Sequence, residues 1–299
     1  MSDVGAPALA APKSRSVLAE NLAQFLQDRV ALACAFAIAL FVLMALLAPW
    51  VAPHDPNEAD LFRRLQPPAW MEGGEWAYLL GCDALGRDIL SRLIYGARVS
   101  ILIGVTVVLL AAVIGTLAGL AAGYLRGWVD VVISRLVDIL LGFPYLIFAI
   151  GLMAMMGPGV QNIVLALVYK EWVISCRVVR GDTLAAREVE YVEAARAVGA
   201  SRTHIMLREI LPNILSPVIV VATVRMAHII ILEASLSFLG LGVQPPTASW
   251  GSMVADGRGF LLDAWWVSTF PGIAILLLVL AINVASQSLR DAFDPRFRE

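Results

Sequence analysis

"EYVEAARAVGASRTHIMLREILPN", Glu190 to Asn213, is a charged, helix-prone segment lying between strongly apolar runs. Its surroundings say what kind of chain it belongs to. Of the 299 residues, 60% are hydrophobic and only 15% charged, and the mean hydropathy is +0.79. A soluble domain carries about 25% charged residues, so composition points to a polytopic membrane protein surrounded by lipid. A net charge of −2 gives no electrostatic case for a nucleic-acid partner. Cys34, Cys82 and Cys176 are too scattered for a disulfide framework or a metal spacing.

A bilayer-crossing helix needs about 20 mostly apolar residues. C-terminal to the quoted segment, one span starts near Pro212 and ends before "GLGVQPP" (Gly240–Pro246), and another covers Ala264–Leu289. On the N-terminal side, the uncharged stretch Ile139–Tyr169 is too long for one span. "GPG" at Gly157–Gly159 divides it, which predicts spans over about 131–156 and 160–179. Val30–Ala48 and Val99–Leu125 bring the expected number to six. The first 29 residues are polar or small, so Val30–Ala48 reads as an uncleaved anchor and not as a cleaved leader. The predicted fold class is all-α. The organisation is a tail over 1–29, a first span over 30–48, an outer loop over 50–98, a five-helix core over 99–289 holding the inner loop at about 181–211, and a tail over 290–299.

Lys and Arg set the orientation. With the N-terminus cytoplasmic, the inside segments (1–29, 125–130, 181–211, 290–299) hold 11 Lys and Arg in 76 residues. The outside segments (50–98, 157–159, 240–263) hold 6 in 76. Both termini and the Glu190–Asn213 segment are therefore expected in the cytoplasm. The local pattern there is a helix over 190–198, with Val192, Ala195 and Val198 roughly along one side. Gly199 can end that helix in a left-handed conformation. Ser201 can cap a second helix through Thr203–Ile210, and Pro212 is expected to reset the chain into the next span. A helix, a turn and a helix with a small Ala-rich stripe suit docking in a shallow groove of a cytosolic partner.

Glu193-Ala194-Ala195, then Gly199, then Ile210-Leu211-Pro212 resembles the "EAA" loop of permease subunits of ABC importers. This copy has Glu209 two residues before Leu211, where the usual pattern has Ile. The resemblance implies a type I importer permease (MetI-like) fold with six transmembrane helices. It implies a coupling helix seated in a separate ATPase, with contacts at Glu193, Ala194, Ala195, Val198, Gly199, Ala200 and Ser201, closed by Pro212. "PPAW" (Pro67–Trp70), "LLGCDALGRDILSRLIYGARVSI" (Leu79–Ile101), "ASLSFLGLGVQPPTASWG" (Ala234–Gly251) and "LRDAFDPR" (Leu289–Arg296) are similar to the dipeptide/oligopeptide branch, specifically its C-type permease. Importers of nickel, glutathione and other peptide-like solutes share these segments. The partners implied are a second, different permease subunit, two cytosolic ABC ATPases and an extracytoplasmic peptide-binding protein, in the inner membrane of a prokaryote.

The two lysines, Lys13 and Lys170, follow Pro12 and Tyr169, so the chain has no phosphate-binding Gly-Lys-Ser/Thr motif. Cofactors are expected to be none on this chain, with ATP and Mg held by the ATPases. Gly115, Gly119 and Gly123 lie four apart on one face of the second span and invite close helix packing, either within the subunit or against the second permease. Charges at membrane depth usually face protein or water. Lys170 and Glu171 fall in the fourth span, and Arg225, His228 and Glu233 along the fifth. They are candidates for the translocation path or gate, or for pairing between helices. In the outer loop, Asp83, Arg87, Asp88, Arg92 and Arg98 are read as setting the entry to the second span, meeting the binding protein, or pairing in solvent. Trp265 and Trp266 are placed in an interfacial belt. An ion-coupled carrier would leave the Glu193–Pro212 loop unexplained. An intramembrane enzyme lacks support, with three histidines (His54, His204, His228) and no HExxH.

Overall fold

A computed structural model describes residues 28–293. The main helices are α1 (Arg29–Leu46), α2 (Ile89–Leu125), α3 (Gly127–Gly142), α4 (Tyr145–Met156), α5 (Val160–Ala186), α6 (Glu190–Ala197), α7 (Arg202–Phe238), α8 (Trp250–Gly257) and α9 (Trp266–Phe293). No strand occurs among the described residues, only one isolated bridge between Cys82 and Asp88. The fold class is all-α, as expected. Most of the two predicted tails lies outside the described residues.

Helices α1, α2, α7 and α9 are each long and apolar enough to cross a membrane, and the bent pair α3 and α4 makes a fifth span if counted as one. Helix α5 has 27 residues, enough at about 1.5 Å per residue, but Lys170, Glu171, Arg177 and Arg180 interrupt its apolar surface. Length and composition thus give up to five of the expected six spans, and α5 is the remaining helix of the bundle.

Four boundaries differ from the sequence expectation, the simplest being α5, which runs past 179 to Ala186, so that the inner loop starts later than 181. Helix α2 begins at Ile89, not Val99. Asp88 caps it by accepting from the Ser91 N–H at 2.9 Å and the Ser91 hydroxyl at 2.6 Å. Hydropathy marks where lipid begins, whereas the cap marks where the helix begins. The expected third span over 131–156 is two helices, bent by 94°. Pro144 causes the break. It supplies no N–H, and it drives Phe143 into an extended conformation (φ −92°, ψ 134°). Finally, Pro212 does not restart the chain. Ile205–Ile210 form a π-helical turn in which the Leu211 N–H reaches Met206 O, and the helix runs on. The wider turn gives the proline ring the room that an α-helix would deny it.

Packing brings the helix ends together in a consistent way. The Ser288 hydroxyl donates to Asp28 Oδ2 at 2.6 Å, so α1 starts where α9 ends. Arg290 of α9 and Ser216 of α7 line one cavity, so these ends share that side of the bundle. Trp250 is fully buried at the opposite side, donating to Leu93 O at 2.9 Å and packing with residues of α1, α2, α7 and α9.

The glycine face of α2 is filled by α5 of the same chain. A Cβ on Gly119 would stand 2.5 Å from Cys176 O, and one on Gly115 would stand 2.5 Å from Trp172 O. On Gly123 it would meet the Thr183 side chain at 2.7 Å. This face is therefore not free for a second permease. Gly119→Ala should push two backbones apart and cost about 1–3 kcal/mol. Gly181→Ala, whose Cβ meets nothing within 4 Å, should be neutral or stabilising by up to about 1 kcal/mol. Thermal unfolding of the two purified variants separates these outcomes, and equal melting would refute the close contact.

Candidate functional site

The loop that follows α5 is a corner between two helices. Helix α6 ends as the sequence suggests, with Gly199 at φ +82°. The Gly199 N–H reaches Arg196 O at 3.0 Å and the Ala200 N–H reaches Ala195 O at 3.0 Å, the paired bonds of a Schellman motif. Ser201 caps α7 by accepting the His204 N–H at 3.2 Å. Val192 is fully buried beneath α6, in a cluster with Leu120, Tyr124, Val179, Ile205, Ile210 and Ile214, and Ala195 packs against the same cluster. The expected stripe is thus divided. Val192 and Ala195 hold the loop to α2, α5 and α7, while Val198 is 84% exposed. Glu193, Ala194, Ala197, Val198 and Gly199 face outward, Ala200 is half-buried and Ser201 is exposed. Pro212 lies further along, within α7.

Sequence reasoning missed what braces the corner from behind. Arg187 Nη1 donates to Tyr124 O at 3.0 Å, and Arg196 Nη2 donates to Arg187 O at 3.2 Å. Both guanidinium groups lie over the Tyr124 ring, at 6.0 and 5.6 Å from its centroid. No spacing rule links residues so far apart in the chain.

The titratable side chains at membrane depth sort into four arrangements. Arg225 and Glu171 form a two-pronged ion pair between α7 and α5, with Nη2 to Oε2 at 2.9 Å and a second contact from Nε to Oε1. Arg225 also borders a cavity of about 440 Å3 with Ser216, Pro217, Val224 and Arg290. His228 stands edge-on to Tyr145 of α4, with centroids 5.6 Å apart, and is half-buried. Glu233 is different. It is fully buried and accepts from the Ser100 hydroxyl at 2.9 Å and the Ser237 hydroxyl at 2.8 Å. It lies closed off between α2 and α7, where it cannot line a path in this conformation. Lys170 donates to Phe143 O, the carbonyl at the α3–α4 break, and lies over the Tyr145 and Phe148 rings at 5.3 and 5.7 Å. Pro144 also explains this cation, because the kink leaves a carbonyl that needs a donor.

The outer charges do not pair in solvent. Asp83, Arg87, Asp88 and Arg92 are all buried. Asp83 Oδ2 takes Arg87 Nε at 2.7 Å and lies 3.4 Å from Arg92 Nε, and Asp256 approaches both arginines at 3.8 and 4.0 Å. Burial, helped by the Asp88 and Asp83 charges, pushes the neighbouring Cys82 thiol up to about 12, so it stays protonated and inert. Trp266 belongs to this inner packing and not to an interfacial belt. It is buried and donates to Cys82 O at 3.3 Å, while Trp265 is partly exposed. Arg98, by contrast, is exposed.

An all-helical bundle that carries a braced corner after α5 is the arrangement the loop motif anticipated. The family profile described as the binding-protein-dependent transport system inner membrane component matches residues 115–299. The chain belongs to this family. A second profile, the N-terminal TM domain of oligopeptide transport permease C, matches residues 16–68. The permease is 44% identical over 283 residues to the di/tripeptide transport system permease protein DppC of Pseudomonas aeruginosa, covering 95% of this chain and 93% of that one. It is 42% identical to the dipeptide transport system permease protein DppC of Haemophilus influenzae, over the full length of both. With the DppC of Escherichia coli it shares 43% identity over 291 residues, 97% of each chain. Among solved structures, a chain of the MetNI methionine ABC transporter in an inward-facing conformation superposes with a TM-score of 0.54. That match has 19% identity and covers 68% of this permease and 97% of the other chain, so it speaks for the fold alone.

Proposed function

We propose that this permease is one of two membrane subunits of an ATP-driven importer of dipeptides and short oligopeptides. The exposed face of α6 supports the coupling part of this reading. Glu193, Ala194, Val198 and Gly199 stand outward on a corner whose back is locked by Val192 into α2, α5 and α7. A partner ATPase that seats this corner moves three spans with it. Coupling then needs only contacts that differ between the two states of the ATPase pair. ATP and Mg belong to those ATPases, and this subunit does no covalent chemistry. An extracytoplasmic binding protein delivers the peptide on the far side, and both termini lie with α6 in the cytoplasm. The cavity beside Arg225, also lined by Arg290, offers positive charge for the carboxylate terminus of a peptide, while Glu171 is buried behind it and held by Arg225. Arg225 and, beside it, His228 form the path face, and Glu233 is left out. The names of the relatives favour peptides as the cargo.

Gly199→Val tests the coupling reading. A β-branched residue at φ +82° is strained by about 1–2 kcal/mol, so the turn must rearrange, and nothing else is crowded because a Cβ there meets no atom within 4 Å. Peptide uptake by the reconstituted complex should fall about tenfold while the subunit stays in the membrane. ATP hydrolysis should lose its stimulation by loaded binding protein. Unchanged uptake with unchanged co-purification of the ATPases would refute the docking role.

A further inference from the structure

Four arginines close on one cavity at the end of α2. Arg126, Arg187, Arg196 and Arg202, with Tyr124 and Leu125, line about 370 Å3, and no carboxylate lines it. Arg126, Arg196 and Arg202 have no ion-pair partner among the described residues. None of the acidic side chains close by in sequence is among the residues that line the cavity. Asp130 is held by Arg180 through contacts of 2.5 and 2.8 Å. Glu188 Oε1 lies 3.0 Å from Arg187 Nε, but out of hydrogen-bond alignment, so that buried N–H has no directed acceptor. Like charges gathered in this way repel, and an anion between them would relieve the repulsion.

The backbone adds an independent observation. Arg126 has φ +56° and ψ −158°, a conformation that side-chain-bearing residues rarely hold, and Gly127 follows at φ +58°. Strain of this kind clusters at ligand clamps, and here it sets the guanidinium of Arg126 at the cavity. The depth identifies the ligand. Leu125 and Trp128 beside the cavity are exposed, Trp128 at 77%, and an exposed tryptophan at the end of a span marks the headgroup region.

We infer that this cavity binds the phosphate headgroup of an anionic phospholipid from the leaflet on the side of α6. Basic pockets between helices at this depth take such headgroups. Because Arg196 lies before the Gly199 turn and Arg202 after it, one phosphate would bridge both arms of the corner to the end of α2. The inference rests on the cavity and its depth, and does not require that α6 docks on an ATPase.

The test uses the complete importer in vesicles of phosphatidylcholine with spin-labelled phosphatidylglycerol or spin-labelled phosphatidylcholine as the probe. The wild type should retain the labelled phosphatidylglycerol as a motionally restricted population in excess over the labelled phosphatidylcholine. Arg126 and Arg202 make no side-chain hydrogen bond or ion pair within the described residues, so the R126Q/R202Q double variant keeps the fold. It should lose about fivefold in relative affinity per charge, about 30-fold in all. Equal retention of the two lipids by the wild type would overturn the proposal, as would an unaltered preference in the double variant. Displacement of the label by millimolar inorganic phosphate would assign the cavity to a free anion and so also overturn it. Loss of the preference when the ATPases are present, but not when they are stripped off, would make the arginines an ATPase contact and reject the lipid.

Discussion

Asp83→Ala is expected to unfold the outer cap, with a loss of about 3–5 kcal/mol. Four contacts converge on this carboxylate. Its Oδ1 accepts the Leu85 N–H at 2.8 Å and the Arg87 N–H at 3.0 Å. Its Oδ2 accepts Arg87 Nε at 2.7 Å and faces Arg92 Nε at 3.4 Å. Arg87 and Arg92 are 8% and 3% exposed, so neither can turn to water when the carboxylate goes. Asp256 remains, but it is half exposed and stands 3.8 and 4.0 Å away. Breaking a buried pair from one side costs more than the pair contributes, because the abandoned charge stays buried. Asp83→Asn keeps an acceptor for the two N–H groups and should fall between alanine and wild type. Arg98→Gln, at an exposed position, should change stability by less than about 0.5 kcal/mol. Thermal unfolding of the purified variants measures all three. An Asp83→Ala protein that melts with the Arg98→Gln protein would refute the network. The same burial removes Asp83, Arg87 and Arg92 from any surface that a binding protein could touch.

The second large effect concerns Glu171. Glu171→Ala leaves the Arg225 guanidinium at membrane depth without its counter-charge, which again should cost about 3–5 kcal/mol. The informative protein is the double variant E171L/R225M. Replacing a whole buried ion pair by apolar residues of similar volume is often neutral or stabilising, so stability should return. Transport then separates two roles. If the pair only joins α5 to α7, uptake returns with stability. If Arg225 and its cavity receive the carboxylate end of the peptide, the double variant is stable yet inactive, and this is the result expected from the proposed path. Restored uptake would remove Arg225 from the path and leave it as a strut.

Much of this architecture was legible in one dimension. The apolar runs gave the spans because lipid demands an unbroken stretch of apolar side chains with every backbone group bonded within the helix. Gly199 and Ser201 announced their turn and cap because both roles depend on local backbone geometry and on atoms only a few residues away. The break at Gly142-Phe143-Pro144 was equally local and could have been read from Pro144, as could the start of α2 from Asp88. The loop motif carried the family, because its residues form a short contiguous signature.

What the chain could not reveal alone is which partners its faces and charges meet. The glycine ridge of α2 fits any close helix, and only the fold chose α5 of the same subunit. Glu171, Arg225 and Glu233 all read alike as charges at membrane depth, yet one pair bridges two helices beside a cavity while Glu233 is sealed by two serine hydroxyls. The four arginines at the end of α2 come from α6, α7 and two connections, and only packing brings them to one cavity. The physical reason is range. Hydropathy, capping and turn geometry act between neighbours along the chain, whereas Coulomb pairing and steric fit act between neighbours in space, which the tertiary structure alone decides.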